Sequence, residues 1–289
     1  MGGYLAAGAA VIAGTAAACL KRSRYERDHF VTEEFVIKTE KIKKDRTLVF
    51  LSDIHDKEFG VQGSALTEAI HKIRPDAVLI GGDTMVAKNG KADLAVTKRL
   101  ICGLSDIPIY YGNGNHEQRL NLDRETYGSM YDEFLEFLQE QKVHYLSDAG
   151  EWFGDDICIS GVNLEKRYYR DLIPDQLDTA YLQEHLGKSD SERYQILLAH
   201  SPLFFKSYAA WGADLTLCGH FHGGTIRLPI LGGVMTPQFQ FFLPCCAGFF
   251  EKKGRHMLVS RGLGTHSINI RLNNRPQLVV IQLKAKTNT

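Results

Sequence analysis

The sequence predicts an α/β layered fold. Three observations carry it: five short apolar runs of β type, a cluster of Asp, Asn, His or Gly ending each run, and helical periodicity in the stretches between them. The runs and their endings are LVFLSDIH at 48–55, AVLIGGD at 77–83, IPIYYGNGNHE at 107–117, QILLAHSP at 195–202 and DLTLCGHFH at 214–222. Continuous, often β-branched apolar runs suit strands buried on both faces. In such sheets ligands bind beyond the carboxyl ends of the strands, where all five clusters fall.

Each intervening element follows from local pattern. Ser64 caps a helix carrying Ala65, Leu66, Ala69, Ile70 and Ile73 at helical spacing. Further helices are predicted over 91–104, over 125–141 with Tyr127, Met130, Tyr131, Phe134, Leu135, Phe137 and Leu138, and over 175–187. Three closing strands are predicted at 256–260, 268–272 and 277–283, in a second sheet packed on the first. The Phe-rich stretch from Leu228 to Phe250, interrupted by Gly and Pro, reads as a loop. No linker divides 47–283, so residues 47–289 are taken as one catalytic domain.

Composition narrows the function. The 289 residues are 44% hydrophobic and 24% charged, ordinary for a globular chain. Thirty-four basic residues balance thirty-four acidic ones, so there is no bulk positive charge to hold a nucleic-acid backbone. The cysteines Cys19, Cys102, Cys158, Cys218, Cys245 and Cys246 form no C-x-x-C pair and sit mostly in apolar runs, which favours a reducing compartment.

The first twenty residues are expected to anchor the chain in a membrane, with 21–46 as a charged juxtamembrane segment. Tyr4 to Leu20 carry no charge, and KRSRYER follows with four basic groups against one acid. Seventeen residues rise roughly 25 Å against a hydrocarbon core of about 30 Å. The basic flank would keep the catalytic domain on the cytoplasmic face of the cell membrane. Three readings compete: a signal cleaved after Ala16-Ala17-Ala18, which would export the domain, a lipid-modified Cys19, and an Ala-rich helix packed on the domain.

Taken singly, an Asp at a strand end is a turn cap and an isolated His is a buried polar group. Eight such side chains at five successive strand ends are a constellation: Asp53, His55, Asp83, Asn115, His116, His200, His220 and His222. Asp53 and His55, two apart, would share one face if strand geometry persisted, and His220 and His222 repeat the spacing. Gly81-Gly82 and Gly112 and Gly114 let the backbone turn sharply before Asp83 and Asn115. Imidazole and carboxylate donors without thiolate suit Mn, Fe, Zn or Mg, and eight exceed the needs of one ion. Two divalent ions are therefore expected, Mn foremost, with Asp83 as the bridge. Paired ions clamp the attacking and leaving oxygens of a displacement at phosphorus and acidify a bound water, so the expected reaction is phosphoester hydrolysis. Neither a G-x-x-x-x-G-K-[ST] loop nor a G-x-S-x-G elbow is present.

The ordered motifs SDIH, GGD, GNHE, HSP and GHFHGG, spanning 53–222, resemble the calcineurin-like metallophosphoesterase superfamily. The resemblance implies a four-layer α/β/β/α sandwich, here preceded by an apolar N-terminal segment. It implies one metal held by Asp53, His55, Asp83 and His222, a second by Asp83, Asn115, His200 and His220, and His116 as the catalytic histidine. SRGLG at 260–264 and IRLNNRP at 270–276 are similar to the endings of the membrane-associated bacterial branch. That branch contains phosphodiesterases and UDP-2,3-diacylglucosamine pyrophosphatase-like enzymes, and this chain departs from it at Thr225, after GHFHGG.

The expected activity is thus a phosphodiesterase or pyrophosphatase acting near the membrane on a phosphoester or diphosphate, with a lipid-linked substrate in view. The alternative is a phosphomonoesterase, protein phosphatase or nuclease of the same fold. A binding protein without catalysis would have lost ligands, and here all eight residues stand. Phe239, Phe241, Phe242, Phe249 and Phe250 either pack under the domain or touch an acyl chain. Arg261 and His266 are weaker candidates for a phosphate contact.

Overall fold

The computed structural model describes residues 2–169, 175–236, 240–265 and 268–286. In chain order it begins with helix α1 (Gly2–Asp28), strands β1 (Val31–Thr39) and β2 (Arg46–Leu51), helix α2 (Ser64–Ile73), strand β3 (Ala77–Ile80), helix α3 (Ala95–Cys102) and strand β4 (Ile109–Gly112). Helices α4 (Asn115–Leu122), α5 (Arg124–Tyr127) and α6 (Met130–Glu140) follow, then strands β5 (His144–Leu146), β6 (Ala149–Phe153) and β7 (Ile157–Gly161). The second half adds helix α7 (Thr179–Leu186), strand β8 (Tyr194–Leu198), helix α8 (Phe205–Trp211) and strand β9 (Leu215–Cys218). Strands β10 (Arg227–Leu228), β11 (Gly232–Gly233), β12 (Gly248–Lys252), β13 (Arg255–Val259) and β14 (Gln277–Ala285) close the chain.

Two six-stranded sheets result, ordered β1-β14-β2-β3-β4-β5 and β12-β13-β9-β8-β7-β6. Strands β2 to β5 run parallel in the first, and β7, β8, β9 and β13 run parallel in the second. Alternate residues of each strand serve different layers, as a period of two requires. Val49, Leu51, Val78 and Ile80 pack against Leu66, Ile70, Ile101, Phe134 and Leu138 of the helices. Leu48, Phe50, Leu79 and Tyr110 meet Ile159, Ile196, Leu198 and Leu217 of the other sheet. Leu197, Ala199, Met257 and Val259 pack on Leu182, Tyr208 and Trp211. Burying each Leu, Ile, Val or Phe contributes roughly 1.5–3 kcal/mol, so strands sandwiched on both sides are apolar throughout. The order is helix, sheet, sheet, helix.

The differences from expectation have local causes: Gly63 in left-handed backbone, not Ser64, holds the cap position of α2, and β14 joins the first sheet between β1 and β2 rather than the second. The stretch 125–141 is two helices, α5 and α6, because Gly128 takes φ 59° between them. Residues 268–272 form no strand: a lone bridge joins Leu272 to Ile226, and the Arg271 N–H instead donates to Ser23 Oγ. The 228–250 stretch is not all loop, since β10 and β11 pair within it and Gly248 opens β12. Strand β1, VTEEFVIKT, was hidden in the charged 21–46 stretch, yet it pairs with β14 over its whole length. Its burial alternates, with Thr32, Glu34, Val36 and Lys38 exposed and Phe35 and Ile37 turned inward, the signature of a strand with one wet face.

The spanning helix expected within the first twenty residues is not found. Among the described residues no helix is long and apolar enough to cross a membrane. Segment 4–20 is helical, but its Ala and Gly content carries too little apolar surface per turn, and residues 7–22 are all exposed. Only the end of α1 packs on the domain. Ser23 and Glu26 are buried there, and Glu26 accepts from the Asn274 N–H at 2.9 Å and from Arg22 Nε at 2.7 Å.

Candidate metal centre

Each expected donor lies just past the carboxyl end of a strand: Asp53 and His55 after β2, Asp83 after β3, Asn115 and His116 after β4, His200 after β8, and His220 and His222 after β9. The strand geometry assumed for Asp53 and His55 does not persist. Asp53, His55, Asp83, His220 and His222 all take left-handed backbone, with φ of 51°, 45°, 53°, 71° and 50°. That conformation disfavours ordinary residues by about 1–2 kcal/mol each, and here it turns five side chains inward within a few residues. Gly82 makes the closest approach: a Cβ there would sit 1.9 Å from the Gly114 nitrogen, so the Asp83 and Asn115 loops touch only because both carry glycine.

The donors gather in three overlapping sets: Asp53, His55 and His222; His55, Asp83 and His116; Asp83, His200 and His220. His222 Nε2 lies 3.5 Å from Asp53 Oδ1 and 3.2 Å from His55 Nε2. Asp83 Oδ2 faces His200 Nε2 at 3.0 Å and His55 Nε2 at 3.9 Å. The Asn115 Oδ1 is buried with no hydrogen-bond donor among the described residues. A neutral oxygen left unsatisfied beside carboxylates and imidazoles is the environment a divalent cation completes, and the donor set fits such an ion.

The electrostatics agree. Burial opposes the charge of Asp83, but His200, His116 and His55 overcome it and hold the carboxyl well below the usual range. Burial, opposed by His200 and reinforced by Asp83, raises the carboxyl of Asp53. For His200 burial disfavours the cation, yet Asp83 and then Asp53 push it up to about 10. Burial and the Arg271 charge drive His222 down to about 3, leaving a neutral imidazole ready to coordinate. An ion seated between Asp83 and His200 would therefore displace a proton as it binds.

Residues 46–224 match the calcineurin-like phosphoesterase family. The chain belongs to the calcineurin-like phosphoesterases. It is 26% identical to an uncharacterized metallophosphoesterase of Aquifex aeolicus over 89% of this chain and 92% of the relative. It is 24% identical to the phosphodiesterase YaeI of Escherichia coli over 82% of this chain and 81% of that one. The uncharacterized metallophosphoesterase YkuE of Bacillus subtilis matches at 26% identity over 99% of this chain and 95% of its own. This calcineurin-like phosphoesterase is a hydrolase of phosphoric esters.

Several residues of the centre were missed in the sequence. The Glu117 carboxylate is fully buried and accepts from the N–H groups of Asp83, Thr84 and Gly114 at 2.8, 2.9 and 2.9 Å and from the Tyr111 hydroxyl at 2.8 Å. It ties the loops after β3 and β4 together, and only its place in GNHE hinted at it. Arg271, also buried, donates to the carbonyls of Arg261, Gly262, Gly264 and Asn274 at 2.8, 3.2, 2.7 and 3.2 Å. The segment it shapes presents the Gly264 carbonyl to His222 Nδ1 at 3.1 Å and the Gly264 N–H to the Asp53 carbonyl at 2.6 Å. Tyr169 packs its ring 5.0 Å from that of His220.

The weaker candidates fare differently. Arg261 binds Glu33 at 2.6 Å and the Arg275 carbonyl at 3.1 Å, so its guanidinium serves the β1 edge rather than a phosphate. His266 and Phe239 lie outside the described residues. Phe241 and Phe242 are 61% and 53% exposed, and Phe250 packs partly against the layer beneath the second sheet.

Removing Glu117 frees three N–H groups that aim the loops. Glu117→Ala should weaken manganese binding by about 10–100-fold, measured by calorimetric titration. Affinity equal to that of the unaltered chain would show that the loops hold without it.

Proposed function

We propose that the chain is a two-metal phosphodiesterase or pyrophosphatase. One ion would be held by Asp53, His55, Asp83 and His222 and the other by Asp83, Asn115, His200 and His220, with manganese the expected metal and Fe, Zn or Mg able to replace it. The observation that carries this reading is the placement of one oxygen, Asp83 Oδ2, between His200 and His55, which belong to different sets. A carboxylate in that position suits a bridge. When bound, such a pair of ions supplies Lewis-acid charge at the phosphoryl oxygens and lowers the pKa of water.

The chain's own residues complete the reaction. His116 Nδ1 lies 2.9 Å from the Ala87 nitrogen and 3.1 Å from the Ala87 carbonyl oxygen, so the Ala87 backbone orients the ring. The His116 N–H in turn donates to Asp83 Oδ1 at 2.8 Å, so the histidine and the shared carboxylate move as one unit. His116 Nε2 then stabilises charge developing on a phosphoryl oxygen or delivers a proton to the departing oxygen. Retention of every donor favours this over a role in binding alone.

The reading extends to a lipid-linked substrate met at a membrane surface. Ile230, Leu231, Phe241 and Phe242 are exposed on the loop that follows His222, and Arg227 Nη1 ties that loop to the Gly223 carbonyl at 3.0 Å. An exposed apolar loop in the segment that follows His222 suits an acyl chain, and the cationic 21–27 segment suits anionic headgroups.

Three experiments check this. Asp83→Ala should lose most of its bound manganese as well as activity, and two retained equivalents by elemental analysis would contradict the bridge. His116→Ala should keep its metal and lose turnover on bis(p-nitrophenyl) phosphate by about 10²–10⁴-fold. Replacing Phe241 and Phe242 together by Ser should lower activity on a lipid phosphodiester far more than on that soluble diester, and an equal loss on both would refute the lipid contact.

A further inference from the structure

Beside the centre lies a cavity of about 170 Å³ lined by Arg27, His55, Asp56, Lys57, Leu263, Gly264, Thr265, Asn269 and Arg271. It shares His55 with the candidate metal ligands and draws its other walls from three distant parts of the chain. Three permanent cations face one acid, Asp56, whose Oδ2 is occupied by the Val86 N–H at 3.1 Å and whose Oδ1 is buried without a donor. Lys57 pairs with Asp28 at 2.6 Å. The two arginines have no carboxylate partner among the described residues, and Nε of each is buried without an acceptor. Arg271 spends its other donors on backbone carbonyls alone. Arg27 makes no side-chain hydrogen bond or ion pair among the described residues, so its guanidinium is the one left to meet a multivalent anion in the fork geometry that Arg favours, whereas Arg271, its Nη groups spent on carbonyls, contributes charge alone.

The geometry points to this cavity as a subsite for a second anionic group of the substrate, one that Arg27 binds beside the buried charge of Arg271 while the scissile phosphoryl group lies at the metal centre. The inference rests on the phosphoester-hydrolase reading above and narrows its substrate to a diphosphate, or to a phosphodiester that carries a further phosphate or carboxylate nearby. It also gives the end of α1 a role in binding. Ser23 and Glu26 fasten that helix to the 271–274 segment, Ser23 Oγ receiving the Arg271 N–H at 3.0 Å and Glu26 Oε2 the Asn274 N–H at 2.9 Å. Arg27 follows directly and is thereby held against the cavity. A chain lacking its first thirty residues would keep all eight metal-site residues and lose half of the subsite.

The test compares two non-hydrolysable probes on the manganese-loaded full chain, with free manganese held constant: methylenediphosphonate, which has two anionic groups, and methylphosphonate, which has one. Calorimetry reads both affinities. Arg27→Gln should cut the preference for the bisphosphonate about tenfold, the scale of one charge-assisted hydrogen bond lost. Arg27→Lys should restore part of it, since charge returns without the fork. Equal weakening of both probes, or no change in either, overturns the subsite. Because the readout is binding, a chain that hydrolyses no phosphoester but keeps the Arg27-dependent preference supports the subsite and removes only the catalytic reading.

Discussion

The Asp83 carboxylate is the point on which the rim of the first sheet depends. It is buried, it opposes three imidazoles, and it receives the backbone N–H of His116. Such a group is stable only where the opposing charges are close enough to outweigh the loss of water, and that closeness demands the tight loops around it. Gly82 and Gly114 allow the approach, Glu117 gathers the N–H groups of both loops, and the left-handed residues aim the remaining donors. The local strain concentrated there is compensated by three apolar layers behind it, which hold the strand ends in register.

A second constraint lies on the other side of the centre. Arg271 is a buried cation whose hydrogen bonds shape the segment that touches Asp53 and His222, and its own N–H is received by Ser23 of α1. Through this one residue the first helix, the closing segment and the metal-site loops form a continuous polar network. The exposed turns of α1 contribute nothing to that network, whereas its final turn joins the wall of the cationic cavity. The helix is thus two parts in one element, an outer apolar stretch and an inner end that belongs to the domain.

Much of this was legible in local pattern. The helix at 64–73 and the apolar strands before each cluster follow from periodicity, because burial on one or both faces leaves its mark on neighbouring residues. Strand β1 was not read, since its adjacent Glu33 and Glu34 and its Lys38 resembled a solvated segment, and the break at Gly128 was not read because a long apolar stripe runs through it. The strand expected at 268–272 failed for the opposite reason: alternation was present, but the backbone donors of Ile270, Arg271 and Leu272 go to Ile268, to Ser23 of α1 and to Thr225 instead of to a neighbouring strand.

By itself the sequence determined the chemistry of the centre: which eight side chains stand at strand ends, and that they are imidazoles, carboxylates and an amide without thiolate. Residue type and strand position are local properties, and they survive without knowledge of the fold. The tertiary structure decided which of those donors face one another, that Glu117 and Arg271 hold them, and that Arg27 stands beside them. Those relations join residues as much as 248 positions apart, as in the bond from Asn274 to Glu26. No spacing rule reaches across such a distance, because the contact exists only after both sheets have packed.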